Sequence, residues 1–220
     1  MYVSINMAMS LDGKIATKKR GPIKLGSVHD SRRIAEIRAD HDVVINGAAT
    51  FKAYPKPLNI VGDDLIARRV KAGKPAQPAS AFVSSRLDIP KDTPWEKATD
   101  TERWVFCGTR APATRAKLLE VAGAKVVHSR FLRPSPKEIL QAFTTAGFER
   151  VLLEGGGEFN ASFLEAGLVN RIHLTVAPII VGGAESPTWF EGAGFEKFPR
   201  FQLVECRNIE GELYLTYDKV

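Results

Sequence analysis

Apolar residues run through this chain in short blocks, and the spacing inside each block separates strands from helices. The opening YVSINMAMS, residues 2–10, reads as a strand, and Asp12-Gly13-Lys14 supplies its turn. A helix is expected over 30–39 with Asp30 or Ser31 near its cap, and DVVIN, 42–46, returns as an inner strand ending at Gly47. AATFKAYPKPLNI is turn-rich and is expected to surround a site, while 62–72 patterns as a basic amphipathic helix. A short strand, AFVSS, follows the turn GKPAQPAS, and the polar stretch 86–101, with two prolines, reads as a mobile or peripheral excursion. RWVFC at 103–107, AKVVH at 124–128 and RVLLE at 150–154 are then successive strands, separated by helices at 112–121 and 136–146.

The most informative stretch is 151–183, VLLEGGGEFNASFLEAGLVNRIHLTVAPIIVGG. A buried strand runs into Gly155, Gly156 and Gly157, and Phe159, Phe163 and Leu164 then recur at helical spacing up to a stop at Gly167. That order leaves bare N–H groups at a helix N-terminus, where a phosphate can sit. The formal G-x-G-x-x-G and G-x-x-x-x-G-K-[ST] patterns are both absent, so the local pattern leaves a phosphate cradle and a plain strand-to-helix turn equally open. IHLTVAPIIVG reads as a second buried strand that breaks at Pro178 and resumes, and 201–207 with 212–217 form a closing antiparallel hairpin around 208–211. Alternating strands and helices that end in a hairpin predict an α/β architecture on a mixed, mostly parallel sheet.

At 220 residues the chain suits one sizeable core, so a single domain over 1–220 is expected. It has no apolar run of membrane-spanning length and no cationic leader, so a cytoplasmic protein with no membrane partner is expected. Cys107 and Cys206 lack a CxxC partner, and His29, His41, His128 and His173 show no HExxH pairing, which predicts no metal site. The net charge of +6 is scattered as Lys18-Lys19-Arg20, Arg32-Arg33 and Arg68-Arg69-Lys71 with no aromatic interleaving, which favours small anionic ligands over nucleic acid.

Several residues could carry chemistry. Asp12 follows a strand and could hold a polar substrate or relay a proton, and Lys14 could meet a phosphate, but an ordinary Asp-Gly turn with a surface lysine fits the same spacing. Gly47 ends a strand and Thr50 offers a hydroxyl to a cofactor phosphate or ribose, or caps a local turn. Ser27, His29 and Asp30 could line the same mouth, although an N-cap accounts for Asp30. Glu154 closes an apolar strand directly before Gly155 and could orient an amino or hydroxyl group, or bond the freed amides of the turn.

Taken together, SLDGKIA at 10–16, RIAEIRADHDVVINGAAT at 33–50, ARRVKAGKPAQP at 67–78 and VLLEGGGEFNASFLEAGLVNRIHLTVAPIIVGG at 151–183 resemble the pyrimidine reductases of riboflavin biosynthesis. The resemblance extends both to the reductase domain of bifunctional deaminase-reductases and to the stand-alone archaeal and fungal enzymes. It implies a single-domain, dihydrofolate-reductase-like three-layer fold, NADPH as cofactor and a homodimer. It implies as substrate a phosphorylated ribosylaminopyrimidine, either 2,5-diamino-6-ribosylamino-4(3H)-pyrimidinone 5′-phosphate or its deaminated uracil analogue, whose ribosyl group becomes ribityl. Carried onto this chain, Gly155, Gly156 and Gly157 approach the cofactor pyrophosphate, and Gly47 and Thr50 lie on its nicotinamide or ribose side. Asp12 faces the substrate, Glu154 supports the junction, and Lys14, Arg33 and Arg38 are the basic candidates for substrate phosphate.

Under that resemblance the chemistry is hydride transfer to C1′ of the ring-opened, imine-like ribosylamine, with Asp12 either assisting ring opening or only orienting. FKAYPKPLNI after Thr50 replaces the more acidic RADDP-type stretch of many bacterial relatives, which points toward the stand-alone archaeal-like group or a divergent reductase. The H-x-E and P-C-x-x-C signature of a zinc deaminase is absent. The alternatives are a dihydrofolate or other pteridine reductase on the same fold, and a nucleotide-binding regulatory protein without turnover.

Overall fold

Buried apolar runs account for most of the strands, and side-chain caps at Thr93 and Ser135 start two of the helices. The computed structural model describes every residue except Arg20 and Pro22. In chain order the elements are β1 (Tyr2–Ser10), α1 (Val28–Ala39), β2 (Val43–Gly47), α2 (Ala48–Ala53), α3 (Asp63–Lys71), β3 (Ala79–Val83), α4 (Pro94–Lys97), β4 (Arg103–Cys107), α5 (Ala113–Val121) and β5 (Lys125–His128). They continue with α6 (Pro136–Thr145), β6 (Arg150–Leu153), α7 (Gly157–Glu165), β7 (Arg171–Ala177), β8 (Phe201–Ile209) and β9 (Glu212–Lys219). Contacts group them into two compact units, one of Ala35–Leu152 with Met1 and the other of Tyr2–Ile34 with Leu153–Val220.

In the first unit the strands lie in the order β5-β4-β3-β2-β6. The pairs β2/β3, β3/β4 and β4/β5 are parallel, with Gly47 opposite Val83 at the carboxyl edge. Val43, Val44 and Ile45 are fully buried, as a strand with both faces covered requires. Phe51 stacks on Phe82 at 3.9 Å between ring centroids, and Trp95 meets both rings edge-on.

Trp95 comes from the stretch expected to be peripheral. Instead Leu87, Ile89 and Trp95 are buried there, the Trp95 indole donates to Ser80 Oγ at 3.0 Å, and the Arg115–Glu96 ion pair closes over it. Three apolar side chains in a polar context were enough to anchor the segment, because a buried aromatic ring removes so much surface from water. The helix expected to be basic and amphipathic departs similarly at Arg69. Its guanidinium is buried and donates to the carbonyls of Pro75, Ala39 and His41 at 2.9, 2.9 and 2.6 Å, satisfying backbone acceptors that would otherwise be orphaned.

In the second unit the order is β1-β7-β9-β8, with β1 and β7 parallel and the last two strands antiparallel to their neighbours. The hairpin turns at Glu210-Gly211, where both residues have positive φ. The strand expected to resume after Pro178 does not, and β7 ends at Ala177. The backbone beyond it is committed elsewhere: Leu11 donates its amide to the Ile179 carbonyl at 2.8 Å, and the amides of Val181 and Gly182 go to the Asp12 carboxylate. The first helix starts at Val28, two residues before the expected start, because Ser27 Oγ accepts from the His29 amide at 3.1 Å and from the Asp30 amide at 3.4 Å. Asp30 therefore lies in the first turn and is 5% exposed.

Candidate functional site

The glycine turn after β6 is built against β1 and the 186–191 segment. Gly155 has φ +74°, and a Cβ there would lie 2.9 Å from Met7 Sδ; a Cβ on Gly157 would lie 2.4 Å from the Thr188 carbonyl oxygen. The left-handed backbone disfavours a side chain at Gly155, and the Thr188 carbonyl leaves no room for one at Gly157. The peptide between Gly155 and Gly156 is cis. Gly156 is the N-cap of α7 with no side-chain cap, so the first amides of a nine-residue helix have no intrahelical acceptor and no capping oxygen. This is an arrangement that an anionic oxygen complements.

Across the same unit, Asp12 and Lys14 hold the turn after β1 onto the 181–188 segment. The Asp12 carboxylate accepts from Ser10 Oγ at 2.5 Å and from the amides of Val181 and Gly182 at 3.1 and 2.8 Å. The Ser10 hydroxyl, followed by those amides, lowers its pKa to about 2, so it is a fixed anion. Lys14 pairs with Thr188 through the backbone and donates from Nζ to the Ser186 carbonyl at 3.0 Å. The 181–191 segment therefore brings Asp12, Lys14 and Gly157 onto one local frame.

Two further carboxyls of this unit have opposite electrostatics. Glu212 accepts from the Ser27 amide at 2.8 Å, from Ser27 Oγ at 2.6 Å and from the Tyr214 hydroxyl. Burial opposes its charge, but these donors outweigh burial and hold it below the ordinary glutamate range. Asp30 is pushed up, first by burial and then by the charges of Glu212 and Glu154, against a hydrogen bond from Thr175 and the charge of Arg33. Glu154 is half-buried and engaged in an interaction of its own.

Arg33 lies on the far side of Thr175. It donates to Thr175 Oγ1 at 3.3 Å, to Thr216 Oγ1 at 3.1 Å and to the carbonyls of Leu174 and Leu215 at 3.4 and 3.0 Å, and it sits 5.1 Å from the Tyr214 ring centroid. In the first unit, Gly47 caps α2 with no side-chain bond, Thr50 accepts the Tyr54 amide through its carbonyl, and Arg38 donates to the Asn59 carbonyl at 2.9 Å. A cavity of about 690 Å³ in that unit is lined by Trp104, Phe106, Val127, His128 and residues of α6, and contains none of the catalytic, cofactor or substrate candidates read from sequence.

The family model described as RibD C-terminal domain matches residues 1–215. The chain belongs to the RibD C-terminal domain family. It is 30% identical over 205 residues to the 2,5-diamino-6-ribosylamino-4(3H)-pyrimidinone 5′-phosphate reductase of Archaeoglobus fulgidus, covering 93% of this chain and 92% of that one. To the protein of the same name from Methanothermobacter thermautotrophicus it is 30% identical over 220 residues, covering 98% and 97%. Among solved structures, a pyrimidine reductase-like protein from Corynebacterium diphtheriae superposes with a TM-score of 0.87 at 19% identity, covering 100% of this chain and 92% of that one. Enterococcus faecalis dihydrofolate reductase superposes with a TM-score of 0.55 at 15% identity, covering 99% and 96%. The RibD-type chain has the dihydrofolate-reductase-like α/β fold.

Among the described residues no group of three or more His, Cys, Asp or Glu could hold a metal ion, and no helix is long and apolar enough to cross a membrane. The sequence pattern missed Thr175, Glu212 and Tyr214. A signal was present: Glu212, Tyr214 and Thr216 alternate on the buried face of β9, and a polar residue at every buried position of a strand is unusual enough to mark a site.

Proposed function

We propose that this RibD-type chain is an NADPH-dependent reductase that converts the ribosyl group of a phosphorylated ribosylaminopyrimidine to a ribityl group, acting on 2,5-diamino-6-ribosylamino-4(3H)-pyrimidinone 5′-phosphate. The observation that carries this reading is 30% identity, over nearly the full length of both chains, to two archaeal reductases of that name. The uncapped amides of α7 and the glycines that precede it fit a dinucleotide pyrophosphate, and the net charge of +6 fits a phosphorylated partner.

Bound NADPH would supply a hydride from C4 of its nicotinamide. The protein's share is orientation. The α7 N-terminus would hold the pyrophosphate, Asp12 and Lys14 would keep the 181–188 segment against β1, and Glu154 would stand beside the reacting sugar. A homodimer in the cytoplasm belongs to the same proposal; exposed Leu203 and Val204 on β8 offer an apolar strand for it.

The test is anaerobic NADPH oxidation with the diaminopyrimidinone phosphate, the deaminated pyrimidine and dihydrofolate in parallel, each followed by mass analysis. A ribitylamino product two hydrogens heavier than the diaminopyrimidinone supports the reading. Reduction of dihydrofolate alone would make the chain a pteridine reductase, and NADPH binding with no consumption would make it a nucleotide-responsive binding protein.

A further inference from the structure

The segment 186–193 lies along one stripe of α7. Gly157, Asn160, Ala161 and Glu165 recur at helical spacing, and each meets that segment in turn. A Cβ on Gly157 would lie 2.7 Å from Glu191 Cγ as well as against the Thr188 carbonyl, and a Cβ on Gly192 would lie 2.8 Å from Ala161 Cβ. Asn160 Nδ2 donates to the Trp189 carbonyl at 3.1 Å, and Glu165 Oε1 accepts the Ala193 amide at 3.0 Å. At the other end the Ile15 amide donates to the Pro187 carbonyl at 2.9 Å, next to the Lys14 bond to Ser186. The segment therefore runs from the turn after β1 to the body of α7, and it passes the first turn of the helix at Thr188.

Asn160 is the odd member of this stripe. It is 0% exposed, and its Oδ1 accepts from no donor among the described residues. Its Nδ2 lies 3.9 Å from where a Gly155 side chain would begin, so the amide sits against the glycine turn itself. One neutral hydrogen bond returns less stability than an unmet buried acceptor costs, so an apolar side chain of the same shape would serve the core better. What the amide supplies, and leucine does not, is a directed donor that fixes the Trp189 carbonyl beside the start of α7.

We propose that Asn160 is a positioning residue of the cofactor site: through Trp189 it holds the 186–193 segment as a fixed wall beside the uncapped amides of α7. The inference rests on the reductase reading, which puts the NADPH pyrophosphate at those amides. Asn160 acts through the segment, because its own side chain is fully enclosed. The anion site owes its charge complementarity to the helix end and its shape to the wall. Without the Asn160 bond, the segment keeps its attachments at Lys14, Ile15 and Glu165 but loses the middle one, opposite the turn that the cofactor must approach.

The test compares wild type, Asn160→Leu and Asn160→Asp by NADPH titration, melting temperature and hydrogen exchange at the Ile15 and Ala193 amides, which end on the segment or begin from it. Asn160→Leu is expected to melt no lower than wild type, to exchange both amides faster and to bind NADPH about tenfold more weakly, the scale of one directed hydrogen bond. In turnover with the diaminopyrimidinone phosphate the loss falls on KM for NADPH more than on kcat. Asn160→Asp sets a carboxylate against the Trp189 carbonyl at pH about 8 and a donating carboxyl once protonated, so its NADPH affinity recovers toward wild type at pH about 5, which a merely structural role would not produce. An Asn160→Leu protein that binds NADPH within about twofold of wild type, or one too unstable to fold, overturns the proposal and leaves the reductase reading standing. A wild type that binds no NADPH overturns both.

Discussion

Ser27 Oγ donates to Glu212 at 2.6 Å, so the residue that caps the first helix is also the residue that holds a buried carboxylate on the last strand. One hydroxyl thus fixes the start of α1, and with it the position of Asp30, to β9. Burial works against the Glu212 charge, and the Ser27 and Tyr214 donors override it. A depressed acid contributes stability above its unfolded pKa and loses it as pH falls through the folded value. Glu212→Gln is expected to cost about 1–3 kcal/mol at pH 7 and to flatten the acid limb of stability below pH about 4. Urea unfolding at several pH values checks both.

His41 gives a second, separable pH dependence. It is 1% exposed, burial pushes its pKa down to about 4, and its Nδ1–H donates to the Ile37 carbonyl at 2.7 Å. The unfolded chain binds a proton near pH 6.5 and the folded chain resists it until about 4, so stability falls as pH drops across that window. The full loss is about 3 kcal/mol at 1.36 kcal/mol per pH unit. In His41→Gln the urea midpoint should become flat between pH 6.5 and 4 relative to wild type, even if the variant is less stable overall.

Gly155→Ala combines a φ of +74° with a Cβ 2.9 Å from Met7 Sδ. Left-handed backbone at a non-glycine residue costs about 1–3 kcal/mol, and the contact adds to it. The variant should melt several degrees lower and bind NADPH more weakly, because the turn sets the approach to α7. Unchanged NADPH affinity in a folded Gly155→Ala protein would detach the turn from the cofactor.

Asp12→Asn should release the 181–182 backbone from the turn after β1. Hydrogen exchange at the amides of Val181 and Gly182 reads this directly, since both amides end on the Asp12 carboxylate. Their protection should persist in wild type down to pH about 3, where an ordinary aspartate would already be mostly neutral, because this carboxyl titrates at about 2. Early loss of protection on acidification would show that other contacts hold the segment.

Much of the site was legible because it is local. Gly155, Gly156 and Gly157 stand directly after an apolar strand and before a helix, and strand, turn and helix all follow from neighbouring residues. The Asp12-Gly13-Lys14 turn is local in the same way, although its partners, Val181, Gly182 and Ser186, are some 170 positions away and could not be read from it. Arg69 and Trp95 misled for one reason: each sits in a polar stretch, and burial of a single side chain leaves no periodic trace.

The chain's own pattern determined the alternation of strands and helices, the closing hairpin, the glycine turn and the family, because short-range periodicity, turn chemistry and residue order are written along the backbone. Tertiary structure alone decided how differently three carboxyls are held. Asp12, Asp30 and Glu212 are the same chemistry in sequence, and what separates them is the surroundings each one meets: the amides of Val181 and Gly182 for the first, Ser27 and Tyr214 for the last, and burial beside the charges of Glu212 and Glu154 for Asp30. Solvation and hydrogen bonding act through space, so they are settled only when the chain has folded.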